Sequence, residues 1–350
     1  MSPANMSDAN VSRKRDQLHT SLEKDVQFRG VTSGLDDYYF IHQALPEIDA
    51  GEISLETAFL NKRLDFPLII SSMVGGTREA ERINKNLAEA AQAMGVAMAV
   101  GSQRTAIEAP DMAASYRIRD VAPHIPLLAN LGAIQLNYGY TVRQCQQAVD
   151  MIDADALILY LNPLQKALQA KGNTNFSQLL DKIGLVCREL SVPVIIKEVG
   201  WGISEDVARK LAAAGVSGID VAGSGGTSWS EVEKDGAGSE FSARIASSFA
   251  SWGISTAESI QMVKRGAAGV TVIASGGIRT GIDLAKAIAL GARVGGIAIP
   301  LLKPATTSVA AVVEYLIAIR EELRIAMFCI GTLDLARLEG SPHLKRKVTA

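Results

Sequence analysis

The chain has 350 residues, with 35 Lys plus Arg against 37 Asp plus Glu, and is 48% hydrophobic but only 5% aromatic. A formal net charge of -2 removes any global electrostatic reason to expect nucleic acid or an anionic membrane as partner, although a local basic cluster could still grip a small anion. The length fits either two ordinary domains or one large α/β barrel with insertions.

Cys145, Cys187 and Cys329 lie far apart and form no C-x-x-C pair, so neither a disulfide framework nor a structural zinc site is indicated and a reducing cytoplasm fits best. The polar stretch from Met1 to Lys24 lacks the apolar core of a signal peptide, and no apolar run reaches the ~18 residues needed to cross a bilayer.

Along the chain, short apolar runs end in small or polar residues: FPLIISSM at 66–73, GVAMAVG at 95–101, PLLANLG at 126–132 and ALILYLN at 156–162. PVIIKEV at 193–199, GIDVAG at 218–223, VTVIASGG at 270–277 and GGIAIPLL at 295–302 continue the series. Between them the periodicity predicts helices at 78–94, 142–152, 176–190, 205–214, 256–265 and 281–290, with Gly95, Gly215, Gly266 and Gly291 as closing signals. Continuous apolar strands alternating with amphipathic helices mean a parallel sheet, and eight such repeats favour a closed (β/α)8 TIM barrel. A doubly wound sheet is the alternative, weakened because no strand leads into G-x-G-x-x-G. The reading is one domain over 1–350, with a barrel core at about 66–323. Residues 1–65 form an N-terminal extension packed across the barrel, and 324–350 a C-terminal extension. Residues 225–269 read as a long loop rich in Gly, Ser and charge, ahead of its helix, of the kind that covers an active site.

In such barrels the reactive groups lie at the C-terminal strand ends. The S-G-G-I-R turn at 275–279 and the segment at 295–300 fall where a phosphate is often held, because Gly-rich N–H groups and a helix N-terminus converge there. The same glycines could simply permit tight turns. Lys197 follows a buried run and needs a partner, either an anionic ligand at the mouth or a carboxylate such as Glu198. No histidine ends any strand, and no Ser-His-Asp set or H-E-x-x-H motif is present, so a bound cofactor would have to carry most of the chemistry.

At these positions the sequence resembles the type II, FMN-dependent isopentenyl-diphosphate isomerases, from about Ser12 to Leu338. The resemblance is carried by R-K at 13–14, S-S-M-V-G-G at 71–76, V-G-S-Q-R at 100–104, A-N-L-G at 129–132, N-P-L-Q at 162–165 and K-E-V-G at 197–200. G-G-T-S-W at 225–229, the run at 247–256 and S-G-G-I-R-T-G at 275–281 add to it. It implies a flavin held by Ser72, Met73, Val74, Ser102, Asn130, Lys197 and Thr227, with its phosphate on Gly277, Ile278, Arg279, Ala298 and Ile299. It implies a diphosphate gripped by Arg13, Lys14, Ser102, Gln103 and Arg104, and the hydrocarbon end met by Asn162 and Gln165, with Gln165 as the catalytic side chain beside FMN. Reduced FMN, generated with NADPH, would serve as acid and base for a proton transfer without net redox change. A tetrameric or octameric homo-oligomer is implied as well.

Three substrate-side positions depart from that pattern. Gln17 stands where R-K-x-x-H would have its histidine, with His19 as the nearest substitute. Tyr160 stands where H-L-N-P-L-Q-E begins, and Lys166 replaces the glutamate that helps bind magnesium. A hard cation needs oxygen ligands, so no conventional magnesium site is expected. Val74 replaces a usual threonine. Two alternatives therefore stand beside the isomerase: a diverged FMN enzyme acting on another isoprenoid or hydrophobic substrate, and a flavin-binding homologue without isomerase activity.

Overall fold

The computed structural model describes residues 3–170 and 172–348, apart from the side chains of residues 3–11 and 13. Its centre is a closed barrel of parallel strands: β1 (Leu68–Ile70), β2 (Ala97–Ala99), β3 (Leu127–Gly132), β4 (Ala156–Tyr160), β5 (Val194–Lys197), β6 (Gly218–Asp220), β7 (Thr271–Ser275) and β8 (Val294–Ile297). The ring closes where β8 pairs with β1, Ile297 opposite Ile70. Side chains alternate between the two faces of each strand. Ile69, Ala97, Leu128, Ile158, Ile195 and Ile273 therefore fill the interior, while Leu68, Ile70, Met98, Leu127, Leu157 and Ile196 pack outward under the helices. Burial on both faces is why these strands read as unbroken apolar runs.

The helices are α1 (Pro3–Glu23), α2 (Arg78–Met94), α3 (Arg104–Glu108), α4 (Val142–Ile152), α5 (Pro163–Leu168), α6 (Leu179–Glu189) and α7 (Glu205–Ala213). They continue with α8 (Trp229–Asp235), α9 (Glu240–Ser248), α10 (Thr256–Gly266), α11 (Gly281–Ala289), α12 (Ile299–Thr307), α13 (Val309–Phe328) and α14 (Leu335–Leu338). Local signals set several of them. Thr141 and Gln144 form a capping box on α4, Thr280 and Asp283 another on α11, and Gly95 closes α2 at φ +61°.

Several expectations need correction. The predicted eighth strand, 295–302, stops at Ile297, and α12 begins at Ile299 with Pro300 in its first turn, where a missing N–H costs no helical bond. Gly266 is the last residue of α10, not its cap, which is Ala267. The stretch read as a loop, 225–269, carries α8 and α9 before α10; polar composition hid them, because α8 buries Ser230 and Glu231 beside Val232 and α9 buries only Ala246. The boundary drawn at 323/324 falls inside α13.

The N-terminal extension serves both ends of the barrel. Its α1 packs on α3, α8 and α12 at the C-terminal mouth. The hairpin Thr57–Phe59/Lys62–Leu64 sends Phe59 and Leu64 into the interior cluster and so plugs the opposite end. Between them, Tyr38–Phe40 pairs antiparallel with Leu344–Arg346, tying the two termini together.

Candidate active site

The strand ends open on a cavity of about 260 Å³. On its floor stands Lys197, whose ammonium lies 2.9 Å from Asp220 Oδ2 and donates to Ser275 Oγ at 2.9 Å. Ser275 in turn donates to Asp220 Oδ1 at 2.6 Å. Asp220, not Glu198, is the partner because β5 and β6 place Lys197 and Asp220 directly opposite, on the same face, whereas Glu198 follows on the other. Lys197 is thus ion-paired, and it also lines the cavity.

Glu198 instead ties down the rim. One of its oxygens accepts the consecutive N–H groups of Val199, Gly200 and Trp201 at 2.7, 2.7 and 2.5 Å, and Val199 and Gly200 line the cavity. Burial pushes its carboxyl from 4.5 up to about 7. The folded state then binds this proton more tightly than the unfolded chain, so the contribution to stability is complete below about pH 4.5 and is lost as pH rises through about 7. Glu198→Gln should flatten that slope. Its unfolding free energy relative to the parent should change by about 3 kcal/mol between those limits, read from denaturant melts across pH.

The wall from β1 and β2 is braced by a side chain that the sequence placed on the substrate. Gln103 is fully buried and does not line the cavity. Its amide oxygen accepts from Asn130 N at 2.8 Å, its NH2 donates to Ala148 O at 2.8 Å, and its backbone N–H donates to Asn130 O at 2.9 Å. It thus stitches the G-S-Q-R turn to β3 and presents Asn130 to the site. Gln103→Leu should cost about 1–3 kcal/mol, the range for stranding buried polar partners. Flavin affinity should fall with it while KM for substrate stays near the parent value. A KM effect alone would mean direct substrate contact.

Four cavity residues carry buried polar atoms with no hydrogen-bond partner among the described residues: Ser71 Oγ, Ser72 Oγ, Asn130 Oδ1 and Asn162 Oδ1. Buried polar atoms in native proteins are nearly always satisfied, so these mark where a polar ligand lies. Opposite them two Gly-rich turns touch. A Cβ on Gly226 would lie 2.5 Å from Gly277 N, and Gly277, at φ +78°, would bring one to 2.6 Å from Gly225 O. Ile278, Ala298 and Ile299 complete this concave surface, with Met73, Val74 and Thr227 also on the lining. Arg279 donates to Gly277 O at 3.1 Å, to Gly225 O at 3.0 Å and to Gln27, so it locks the turns together. Unpartnered hydroxyl and amide oxygens on one side and a backbone cradle at a helix start on the other fit a flavin mononucleotide.

The substrate side lies under α1. Lys14 donates to Ser102 O and to the Tyr116 hydroxyl, each at 2.7 Å, and Tyr116 donates to the same carbonyl at 2.6 Å. Burial pushes the Tyr116 hydroxyl well up, which keeps it protonated. Arg104 reaches the cavity while paired with Glu108 at 2.7 Å. The side chain of Arg13 lies outside the described residues. Gln17 faces the cavity, whereas His19 stands 3.8 Å from both Glu23 and Glu79 and does not, so no shift restores the histidine. Tyr160 lines the wall with its hydroxyl 3.4 Å from Ser102 Oγ.

Behind the lining sits a group that the motifs did not reveal. Asn162 donates to Gln165 Oε1 at 2.7 Å, and Gln165 donates to Glu233 Oε1 at 2.9 Å. Gln169 and Gln17 reach the same oxygen at 2.8 and 3.5 Å. Glu233 lies four residues after Trp229 on α8, so its only sequence signal was a helix within the stretch read as a loop. Magnesium does not fit. Among the described residues no group of three His, Cys, Asp or Glu is arranged to hold a metal, and none of those lining the cavity is acidic. Lys166, lining the cavity at the expected glutamate position, offers no oxygen.

A closed barrel with a flavin-shaped mouth defines the class, and a profile described as FMN-dependent dehydrogenase matches residues 159–346. Solved structures agree on the fold. A flavocytochrome b2 mutant with sulfite bound superposes at TM-score 0.68 and 19% identity, covering 94% of this chain and 82% of that one. An (S)-mandelate dehydrogenase does so at TM-score 0.67 and 16% identity, covering 96% and 99%. Isopentenyl-diphosphate delta-isomerase from Nostoc sp. is 49% identical over 348 residues, 99% of each chain. Those named likewise from Rickettsia prowazekii and Synechocystis sp. are each 49% identical, over 94% and 97% of this chain and 97% of theirs. The chain belongs to the isopentenyl-diphosphate delta-isomerase family. Among the described residues, no helix is long and apolar enough to cross a membrane.

Proposed function

We propose that this chain interconverts isopentenyl and dimethylallyl diphosphate, with the floor of the cavity holding FMN and the side under α1 holding the substrate. The observation that carries this reading is a lining with no acidic residue among those described, cationic at Lys14, Arg104 and Lys166, beside the amide of Gln165. Such a site suits a compact polyanion joined to a short hydrocarbon. Reduced FMN supplies the acid and base of the 1,3 proton transfer. The remaining work belongs to the protein.

Lys14 and Arg104 bind the diphosphate, and this remote binding energy positions a hydrocarbon that has few handles of its own. Asn162 and Glu233 fix the Gln165 amide from its two ends, so that it meets the alkene in one orientation. Met73 and Leu18 on the lining keep water from the reacting carbons. Lys197, held by Asp220 and Ser275, sets a positive potential on the floor.

NADPH as reductant and a homo-oligomeric assembly belong to the same proposal. The test is anaerobic incubation of isopentenyl diphosphate with the FMN-loaded protein and NADPH. The expected result is dimethylallyl diphosphate formed without stoichiometric consumption of NADPH. NADPH consumed in step with product would instead indicate a redox enzyme, and FMN bound without any turnover a homologue that has lost this reaction.

A further inference from the structure

We propose that Lys166 supplies the positive charge that a carboxylate-held divalent cation would otherwise bring, so that this chain binds a diphosphate without metal. The inference rests on the reading of the cavity as a diphosphate site and adds how that site is neutralised.

A carboxylate with a divalent cation contributes a net charge of one positive unit, and one lysine contributes the same. Lys166 is placed to do so. It follows Gln165 in the last turn of the six-residue α5, lines the cavity and is 6% exposed, so its charge is delivered inside the site and not to solvent. Its ammonium donates to Gln169 Oε1 at 3.3 Å, and Gln169 passes its own N–H to Glu233 at 2.8 Å. One carboxamide thus links the cation of Lys166 to the anion behind Gln165, which holds the lysine beside the catalytic amide.

The surroundings favour an anion over a metal. With Lys14, Arg104, Lys197 and Arg279, Lys166 makes five cationic residues on a lining whose described members include no Asp or Glu, and of these Arg104 and Lys197 are already paired with Glu108 and Asp220. A divalent ion entering here would meet cations and would find no carboxylate on the described lining, only neutral oxygens such as Asn162 Oδ1. A phosphate oxygen meets charged N–H donors, whose hydrogen bonds are about twice as strong as neutral ones.

The experiment measures binding of inorganic pyrophosphate to the FMN-loaded protein by calorimetry, with EDTA and with excess magnesium, beside turnover of isopentenyl diphosphate under the same two conditions. For the parent chain, affinity and turnover should change by less than about threefold on chelation, well inside the tenfold that 1.4 kcal/mol represents. Lys166→Glu should bind pyrophosphate about tenfold or more weakly in EDTA and recover with magnesium; Lys166→Gln should bind weakly in both. FMN uptake reports whether each variant is folded. Should Lys166→Glu fail to take up FMN, the parent and Lys166→Gln decide the matter.

Loss of pyrophosphate binding by the parent in EDTA, with return in magnesium, would overturn the inference. So would full affinity in Lys166→Gln, or no pyrophosphate binding by the parent under either condition. Turnover that stops on chelation overturns it while leaving the isomerase reading intact. Metal-independent pyrophosphate binding without any turnover overturns the isomerase reading and leaves this inference standing.

Discussion

Replacing Lys197 by methionine should lower the unfolding free energy by about 3–5 kcal/mol, the usual cost of removing one partner of a buried ion pair. The size follows from what is left behind. Asp220 is 4% exposed and would keep its charge facing only the neutral donors Ser275 Oγ and Ala222 N–H. The double variant Lys197→Met/Asp220→Asn should recover part of the loss, since it no longer strands an anion. FMN affinity should fall in both, because both lose the cation that the floor presents. Urea melts of the apoprotein and flavin titrations separate the two effects. Equal destabilisation by the single and double variants would show that the pair contributes nothing as a pair.

The second large effect concerns Glu233. Glu233→Gln should reduce kcat by about 10²-fold, the cost of a small misplacement of a group that positions the reacting atoms. The reason is orientation. In the parent, Gln165 accepts from Asn162 and donates to a carboxylate that cannot act as donor, so its amide has one orientation. An amide at 233 can donate as well as accept, and Gln165 is then free to turn over. FMN affinity should stay within about twofold of the parent, because Glu233 stands behind the substrate side and not the flavin side. Steady-state turnover beside a flavin titration checks both halves. A fall in flavin affinity matching the fall in kcat would assign Glu233 a structural role instead.

These two variants probe different physics. Lys197 is held by neighbours on the next two barrel strands, and its loss is felt by the fold. Glu233 sits on a short helix over the mouth, and its loss is felt by the geometry of one amide. The Gln103 brace lies between these cases, a buried polar side chain whose job is to hold a turn.

Much of this molecule could be read from the order of residues alone. Eight apolar runs and the helices between them were legible because burial on both faces of a strand, and on one face of a helix, leaves local periodicities that need no partner to be recognised. The helices at 78–94 and 142–152 have the observed bounds because their caps, Thr77 with Gly95 and Thr141 with Gln144, are encoded within a few residues. The S-G-G-I-R turn, Lys197 and the N-P-L-Q run fell at strand ends for the same reason, and the turn, Lys197, Asn162 and Gln165 line the cavity.

What the order of residues left undecided depends on segments far apart in the chain. That Lys197 pairs with Asp220 and not with Glu198 follows from strand register. Gln103 turned inward because Ala148 and Asn130 offered a buried acceptor and donor. Glu233 joined Gln165 across 68 residues, and Lys14 met Ser102 across 88, through contacts that exist only once α8 and α1 lie on the mouth. Periodicity records which face of an element is buried, but the partner on that face is chosen by packing, and packing is a property of the whole barrel.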